Sequence, residues 1–483
     1  MRGNDMKKKK FINSGYSTGA ANRERPTLKT WYPQHFSALS DIEQNLNLLR
    51  NRSYDLSINS ALGSAALNTM VSGVVGNGLN VFPTPKFKEL GLTAESAREW
   101  ARRVQFEFEM WANSLTADFF NRNNFKELQR VIFNASLADG DAFCIFRRRN
   151  NAPYSLCLQI LEAKRVSNPQ SYGAINPVEV LLPNEHKIIN GIEVDKFGRQ
   201  VAIHVSNRIW DEPLSTTAEL KWQRVKTFGE NGTRNVLQIC YDTTPWQFRG
   251  VPLLAPVIET LKQVARYSDA ELTSSIIRSF FSLFFVQPAS NFNLNEMLPQ
   301  EEIDVSEYRL GSGTISALPK GVDIKSVEAN NAQNTFDSFI TQFSKQIGAA
   351  IGIPYEVLLK NFQSSYSASR ASILEAEKTF KQRRAGFILD FLQPVYETFL
   401  IEAVATGRIN APHFFDNETA RYLWSCADFR REVSPGIDPV KDVNAAKTRI
   451  ELGISTREIE AVRNGEDFWN IAEQLKRENE LLN

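Results

Sequence analysis

The sequence predicts an α+β protein whose first part mixes helices with strands and whose second part is mostly helical. Between Gly140 and Gly250, short runs alternate apolar and polar residues, which is the period of a strand with one buried face. After Gly250, apolar residues recur three or four positions apart over long runs, as they do on one face of a helix. We therefore place a domain boundary near Gly250.

Size and composition limit what the chain can be. At 483 residues it is too long for one compact core and predicts two or three domains. The net charge is only +1, so any DNA contact is expected to be loose or confined to one surface. The four cysteines show no CxxC spacing, which is typical of a reduced, intracellular protein without a zinc site. No apolar run reaches the roughly eighteen residues of a membrane span, so we expect no membrane contact.

Residues 1–27 predict a flexible basic arm, because they are polar and rich in Gly, Asn, Lys and Arg. Lys7 to Lys10 resemble the start of a signal peptide, but no apolar segment follows them. A solvated tail is the favoured interpretation, and contact with nucleic acid or a partner is the alternative.

Residues 28–250 begin with helices. Helical periodicity covers 41–72, and a glycine-broken turn at 73–81 then leads into a strand. The GxG within that turn lacks the strand and helix of a nucleotide-binding unit, so we interpret it as a turn. Two more helices are predicted at 93–114 and 124–139, the first with an aromatic stripe expected to pack in the core.

Strands follow in the rest of this part. The segments 141–147 and 154–161 alternate like paired strands, with three consecutive arginines, 147–149, at their turn. A solvated hairpin tip is the favoured interpretation of these arginines, and contact with phosphate is the alternative. The other predicted strands are 188–194, 201–206 and 236–241, with a hairpin turn at 195–198.

The helical part contains three long helices. The first is predicted at 253–286, and the second ends at Gly352. Between them lies a short mixed excursion with a small hairpin at 308–318. The third starts near Ser367, and Pro394 should kink it.

A polar segment, 358–366, connects the second and third long helices and contains turn-prone residues that a helix interior avoids. A proline- and aromatic-containing connection follows Arg408. Beyond it we predict a helix opened by Asp438 and Pro439, a capped helix after Thr456, and an amphipathic helix at 468–482.

The search for catalytic chemistry finds no P-loop, no HExxH and no GxSxG motif. The four histidines stand far apart, each in a different context, and acid pairs such as Asp139/Asp141 and Glu301/Glu302 are interpreted as surface features. We therefore predict no enzyme, no metal and no cofactor. A metal-dependent, nuclease-like DNA-processing enzyme is the alternative, and a monomeric scaffold or adaptor is a third hypothesis.

The length of the predicted helices indicates an assembly of several subunits. Long helices joined by a small excursion cannot easily bury their whole length within one subunit, so the helix at 253–286 needs neighbours. Copies packed head to tail would supply them, and a closed ring is the natural outcome. In such a ring the polar segment 358–366 would project toward the axis.

Several short motifs resemble the portal proteins of tailed bacteriophages, specifically the lambda-type portal family. They follow the family's order over nearly the whole chain from about residue 45, whereas the arm and residues 216–235 have no clear counterpart. The motifs are GVPLLAP at 250–256, GIPYEVLL at 352–359, SYSASRASILE at 365–375, QPVY at 393–396, DPVK at 438–441, GIST at 453–456 and GED at 465–467, with weaker matches at 71–78, 140–143 and 191–199.

The resemblance implies a portal-type fold and a homo-oligomeric ring, typically of twelve subunits, at one capsid vertex of the virion. Double-stranded DNA is packaged and ejected through such a ring, which is assembled in the bacterial host cytoplasm. The implied partners are the terminase large subunit, a head-tail connector or neck protein, and the major capsid or scaffolding protein. The implied parts are a wing at 28–250, stem helices at 251–287 and 329–356, a small α/β clip at 288–328, a tunnel loop at 357–367, a long kinked wing helix with its connection at 368–435, and a helical crown at 436–483.

Within that resemblance the candidate site residues are Lys360, Asn361, Gln363, Ser364 and Ser365 of the tunnel loop. The uncharged members can make weak, exchangeable contacts with phosphates, while Lys360 supplies limited attraction. Strong multivalent binding would be salt-sensitive and would impede sliding. The alternative is that the loop is an ordinary helix connector.

Overall fold

The structure is a computed structural model that describes most of the chain. The described residues are 20, 25–34, 36–150, 153–169, 178–209, 219–230, 232–241, 243–280, 284–286, 323–325, 332–363, 365–431 and 438–482. Most of the predicted arm, the hairpin predicted at 308–318, the pair Glu301/Glu302 and Ser364 lie outside them.

The described part of the chain is a mixed helix and sheet protein, as predicted. Its helices are α1 (Leu46–Asn59), α2 (Ala61–Val74), α3 (Ala94–Ala112), α4 (Phe125–Asp139), α5 (Ile258–Phe280), α6 (Ala332–Ile351), α7 (Tyr355–Leu359), α8 (Tyr366–Phe387), α9 (Gln393–Ala405), α10 (Glu418–Trp424), α11 (Pro439–Glu451), α12 (Arg457–Arg463) and α13 (Phe468–Leu482). Its strands are β1 (Leu79–Pro83), β2 (Asp141–Arg148), β3 (Leu156–Leu161), β4 (Glu179–Leu181), β5 (Lys187–Ile189), β6 (Ile192–Val194), β7 (Gln200–Ser206), β8 (Trp222–Lys226), β9 (Val236–Cys240), β10 (Phe284–Val286), β11 (Asp323–Lys325) and β12 (Ala427–Arg431).

The N-terminal helices begin at side chains that cap them. The Thr93 side chain accepts a hydrogen bond from the first turn of α3, and Asn124 forms a reciprocal capping box with Glu127 at the start of α4. These two helices confirm the prediction. The periodicity over 41–72 instead becomes two helices, because Ser60 leaves the helical conformation and caps α2.

Two antiparallel sheets follow α4. The first has the strand order β3-β2-β9, and the predicted pairing of β2 with β3 is confirmed. The second has the order β4-β5-β6-β7-β8, and the predicted turn at 195–198 joins β6 to β7. The strand predicted at 188–194 is instead a hairpin, because Asn190 and Gly191 both adopt positive φ and reverse the chain. A separate pairing joins β1 to β12, from opposite ends of the chain.

The main core lies between α3, α4 and α9. The aromatic stripe of α3 is confirmed as a core element, because Phe108 and Trp111 are buried and pack against Phe399, with ring centroids 5.1 Å and 5.6 Å apart. Each such aromatic side chain removes about 150–250 Å² from water. The indole of Trp111 also donates a hydrogen bond to the Leu156 carbonyl at 2.9 Å, which ties this core to β3.

The first long helix is shorter than predicted. α5 ends at Phe280, and residues 284–286 form β10, which pairs antiparallel with β11. The prediction of a helix to 286 is wrong because Phe-Phe-Val is an aromatic and β-branched run that favours a strand. The partner strand comes from much further along the chain, so local periodicity does not reveal it.

The other long helices agree with the prediction. α6 ends at Gly352, whose φ of +76° is readily adopted only by glycine. The third long helix runs from α8 into α9 but is interrupted by a π-helical turn, Ile388–Leu392, directly before Pro394. A proline lacks the N–H and crowds the preceding turn, which accounts for the interruption.

Asp141 departs most from the sequence analysis. Interpreted there as a surface feature, it is fully buried at the start of β2. Its carboxylate accepts hydrogen bonds from Arg50 and Arg249, each at 2.6 Å, and from the Gly250 amide at 3.2 Å. Burial by itself would raise the pKa of Asp141, but Arg249 and Arg50 lower it. The interpretation was wrong because both arginines lie far from Asp141 in the sequence.

We expect Gly386→Ala to stabilise the protein and Gly73→Ala to destabilise it. Both glycines lie in helices, where alanine is favoured by about 1 kcal/mol. A Cβ at 386 would meet nothing within 4 Å, whereas one at 73 would lie 2.5 Å from the Phe380 ring, and such overpacking costs about 1–3 kcal/mol. Denaturant unfolding of both variants measures the difference. A gain in stability for Gly73→Ala would contradict this packing.

Asp139→Asn should raise the free energy of unfolding near neutral pH more than in acid. Burial raises the pKa of Asp139 to about 6, with Arg50 opposing the rise and Asp141 adding to it. The folded state therefore holds this proton more tightly than the unfolded chain, and stability is lost as pH rises from about 4 through 6. Asparagine removes that loss, on the order of 1 kcal/mol at pH 7.5. Urea unfolding at pH 4 and pH 7.5 tests this, and a gain that does not depend on pH would exclude ionisation as its cause.

Candidate functional site

The candidate loop begins where α7 stops. Lys360 adopts the left-handed conformation, with φ 54° and ψ 33°, and its amide donates to the Glu356 carbonyl. The Asn361 amide donates to the same carbonyl at 3.0 Å, which closes the last turn of α7. The side chains of Lys360, Asn361 and Gln363 are exposed, so these three predicted site residues are available to contact a ligand.

Ser365 has a structural role that the sequence analysis did not assign. Its side chain accepts a hydrogen bond from the Ala368 amide at 3.4 Å and so caps α8. The Ser365 hydroxyl can still donate to a phosphate, because the cap uses its oxygen as an acceptor. Both ends of the segment predicted as a loop are helical, and the described residues between the two helices are 360–363 and 365.

Two exposed aromatic residues were missed as site candidates. Phe362 lies within the loop and Tyr366 directly follows it, and they are 45% and 43% exposed. The signal that could have found them is a large aromatic side chain in an otherwise polar turn.

The α7 side of the loop is firmly anchored. Ile353 and Leu358 are almost fully buried. The Ile353 amide donates to the Gly348 carbonyl at 2.8 Å, and a Cβ at 348 would lie only 2.3 Å from the Ile353 carbonyl oxygen. Glycine at this position therefore allows α7 to fold back closely against the end of α6.

The α8 side of the loop has no comparable anchor. The first buried side chain of α8 is Ala376, so its first ten residues are exposed or partly exposed. They include Ile373 and Leu374, which are 38% and 57% exposed. The beginning of α8 therefore leaves apolar side chains in water.

α5 also changes from buried to exposed along its length. Leu261 and Val264 are buried, and the Tyr267 ring packs on Phe339 of α6, with centroids 4.0 Å apart. Further along, Leu272 is 62% exposed. A single chain thus leaves apolar surface of this helix in water too.

The loop and the helical turns next to it carry little charge. Within 353–375 the charged residues are Glu356, Lys360, Arg370 and Glu375, which sum to zero. Lys360 is the one charged side chain of the loop itself. A surface of this kind can attract a phosphate locally without a strong net field.

The three arginines at 147–149 are used within the chain. Arg147 donates to Gln159 at 2.8 Å, and Arg148 pairs with Glu402. Arg149 donates to the Phe119 carbonyl at 2.9 Å. These contacts give each arginine a structural partner, although the Arg148 side chain at the end of the hairpin remains 51% exposed.

Two histidines that stand apart in the sequence meet at one carboxylate. Glu193 is buried, and its oxygens lie 2.8 Å from His186 Nδ1 and 3.0 Å from His204 Nε2. Arg224 Nε donates to it at 2.6 Å. Burial opposes ionisation, but the hydrogen bonds from Arg224, His186 and His204 lower the pKa of Glu193 to about 2. The cluster is therefore an ion pair inside the second sheet, and the expectation that each histidine has its own context is wrong for this pair.

Within the described ranges, no three His, Cys, Asp or Glu side chains lie close enough to hold a metal ion. No helix in that part of the chain combines the length and apolar character needed to cross a bilayer.

Comparisons with known proteins identify relatives. The family model for the phage portal protein, lambda family, matches residues 24–384. Portal protein B of Escherichia phage lambda is 23% identical over 476 residues, covering 93% of this chain and 87% of the relative. The portal protein of Escherichia phage N15 is 23% identical over 484 residues, with the same coverage. The neck of an empty gene transfer agent particle contains a chain that is 12% identical, with 88% of this chain and 94% of that chain covered and a TM-score of 0.45.

The family match spans well over half of the sequence, including most of the mixed part, α5, α6 and the loop. Portal proteins are structural components of virions rather than enzymes. This favours the portal interpretation over the nuclease alternative. The chain belongs to the lambda family of phage portal proteins.

Proposed function

We propose that copies of this chain close into a ring, of twelve subunits by analogy with the family, at one vertex of a capsid, with double-stranded DNA passing through its centre. The ring is supported by the apolar surface that one chain leaves in water on its long helices, at Leu272, Ile373 and Leu374. Burying such a side chain fully contributes about 1.5–3 kcal/mol. Identical neighbours related by rotation would cover these positions in every copy at once.

The parts of the ring are assigned by the same proposal. The wing is 28–250, the stem helices are 251–287 and 329–356, the clip is 288–328, and the crown is 436–483. The clip docks the terminase large subunit during packaging and then the neck protein, and the capsid or scaffolding protein is a further partner. The long wing helix at 368–435 follows the tunnel loop in the chain.

The loop at 360–365 contacts the passing DNA. The observation that carries this proposal is that Lys360, Asn361 and Gln363 are exposed together on a turn with a single positive charge. Each neutralised phosphate adds salt-sensitive affinity, so a loop with many cations would hold the duplex in place. One lysine per copy attracts the backbone, while amide and hydroxyl groups exchange partners as the duplex moves.

Lys360 is expected to matter through its charge. Asparagine tolerates the left-handed backbone of this position, so Lys360→Asn removes the charge without straining the turn. Lys360→Glu with Asn361→Asp replaces attraction by repulsion. We expect packaged DNA to fall modestly in the first variant and at least about tenfold in the second, because several subunits repel the duplex together.

The measurement is DNA protected from nuclease inside purified capsids, with ring assembly checked by negative-stain microscopy. Lys196→Asn is the matched control for Lys360→Asn, because it makes the same charge change on the exposed turn between β6 and β7, and Lys196→Glu is the control for charge reversal. If both loop variants package normal amounts of DNA, the loop is an ordinary helix connector.

Leu272→Glu should prevent ring formation. In a ring, a carboxylate at this position would be buried against a neighbouring copy, which costs several kcal/mol when it is unpaired. Lys262→Glu places the same side chain on an exposed site of the same helix and should leave assembly intact. Size-exclusion chromatography with light scattering measures the outcome. Rings of normal abundance in Leu272→Glu would show that this face does not lie between copies.

A further inference from the structure

The first two turns of α8 contact the first turn of α11. Arg370 Nη2 lies 3.5 Å from the carboxylate of Asp442, and Lys441 Nζ lies 5.3 Å from the centre of the Tyr366 ring. Tyr366 and Arg370 lie one turn apart and face the same way, because residues four apart are neighbours on a helix. Two contacts therefore join the helix that follows the loop to the C-terminal helices.

The residues on each side of this contact also form contacts within their own helix. Asp438 caps α11 by accepting a hydrogen bond from the Lys441 amide at 3.2 Å, and its carboxylate also lies 2.9 Å from Lys441 Nζ. On α8, Arg370 Nη1 lies 3.5 Å from the Tyr366 hydroxyl. Lys441 and Arg370 thus each contact a neighbour on their own helix as well as the facing helix.

We infer that α11 positions the loop at 360–365, with Asp442 and Lys441 as positioning residues. The reason is the difference between the two ends of the loop. Leu358 is buried on the α7 side, whereas α8 has no buried side chain before Ala376. An exposed first turn frays unless something holds it, and the Ser365 cap and the contacts with α11 are two restraints of this kind.

The C-terminal helices can act as a support because they are themselves attached elsewhere. Arg449 of α11 pairs with Glu460 of α12 through two hydrogen bonds of 2.9 Å and 2.7 Å. α13 rests on α3, where Glu473 pairs with Arg102 at 3.0 Å and Arg98 lies over the Trp469 ring at 3.8 Å. The position of the loop thus depends on a path from the main core through α3, α13, α12 and α11.

The ion pair between α8 and α11 is weak. The side chains of Arg370 and Asp442 are 45% and 46% exposed, and ion pairs of this kind are weak and are screened by salt. By reciprocity, anything that displaces the loop also displaces α11. The inference rests on the proposed function only for what displaces the loop, namely DNA.

Hydrogen exchange of the intact, full-length protein in its assembled state tests this without DNA. Arg370→Asp and Asp442→Arg each place like charges together, and each should speed amide exchange in the peptide 360–370 about fivefold, the effect of losing one weak ion pair. The double variant Arg370→Asp with Asp442→Arg restores an opposite pair and should return exchange to the original rate. Exchange in α9, which lies in the core, should stay constant in all variants.

Lys447→Glu is the matched control, because Lys447 is an exposed cation of α11 whose partner is Glu451 of the same helix. It should leave exchange in 360–370 unchanged. The inference is overturned if the single variants exchange at the original rate, if the double variant fails to restore it, or if the control accelerates exchange equally. This readout does not involve DNA, so normal DNA packaging in the Lys360 variants would remove the proposed DNA contact and leave the positioning role standing.

Discussion

The buried carboxylate of Asp141 is the constraint on which the rest of the structure depends. Arg50 of α1 forms an ion pair with it, and so does Arg249, which lies between β9 and α5. Arg249 also donates to the carbonyls of Ala163 and Val166, at 2.8 Å and 2.9 Å. A buried ion pair of this kind is weak evidence for stability, but removing one partner costs about 3–5 kcal/mol. The network therefore specifies one arrangement of α1, β2 and the chain leading into α5.

The same network lies directly before the chain that leads into α5. Gly250 follows Arg249 directly, and a Cβ there would lie 2.0 Å from the Gly140 carbonyl oxygen, so two backbones cross where no side chain fits. From this crossing α5 emerges with Leu261 buried and Leu272 exposed. A helix that is packed at its start and leaves apolar side chains exposed further along is consistent with the proposed contact between identical subunits. The loop combines the same two features, since one end is packed and the other is held by weak polar contacts.

Local signals account for what could be predicted. The starts of α3, α4 and α11, the cap of α12, the end of α6 before Gly352 and the polar loop could be predicted because each depends on residues within a turn or two. The candidate residues Lys360, Asn361 and Gln363 were found in this way, from polarity and position. Their conformation was not, because a left-handed residue at a helix end is usually glycine or asparagine, and lysine gives no such signal at position 360.

The sequence by itself determined the helical periodicity, the main turns, the motifs of the portal family and the location of the loop. Only the tertiary structure decided that Asp141 is buried, that β1 pairs with β12, that 284–286 is a strand, and that His186 and His204 share Glu193. The physical reason is the same in each case. A strand or a buried charge is stabilised by partners that folding brings from distant positions, whereas a helix and its caps are stabilised mainly by neighbours in the sequence.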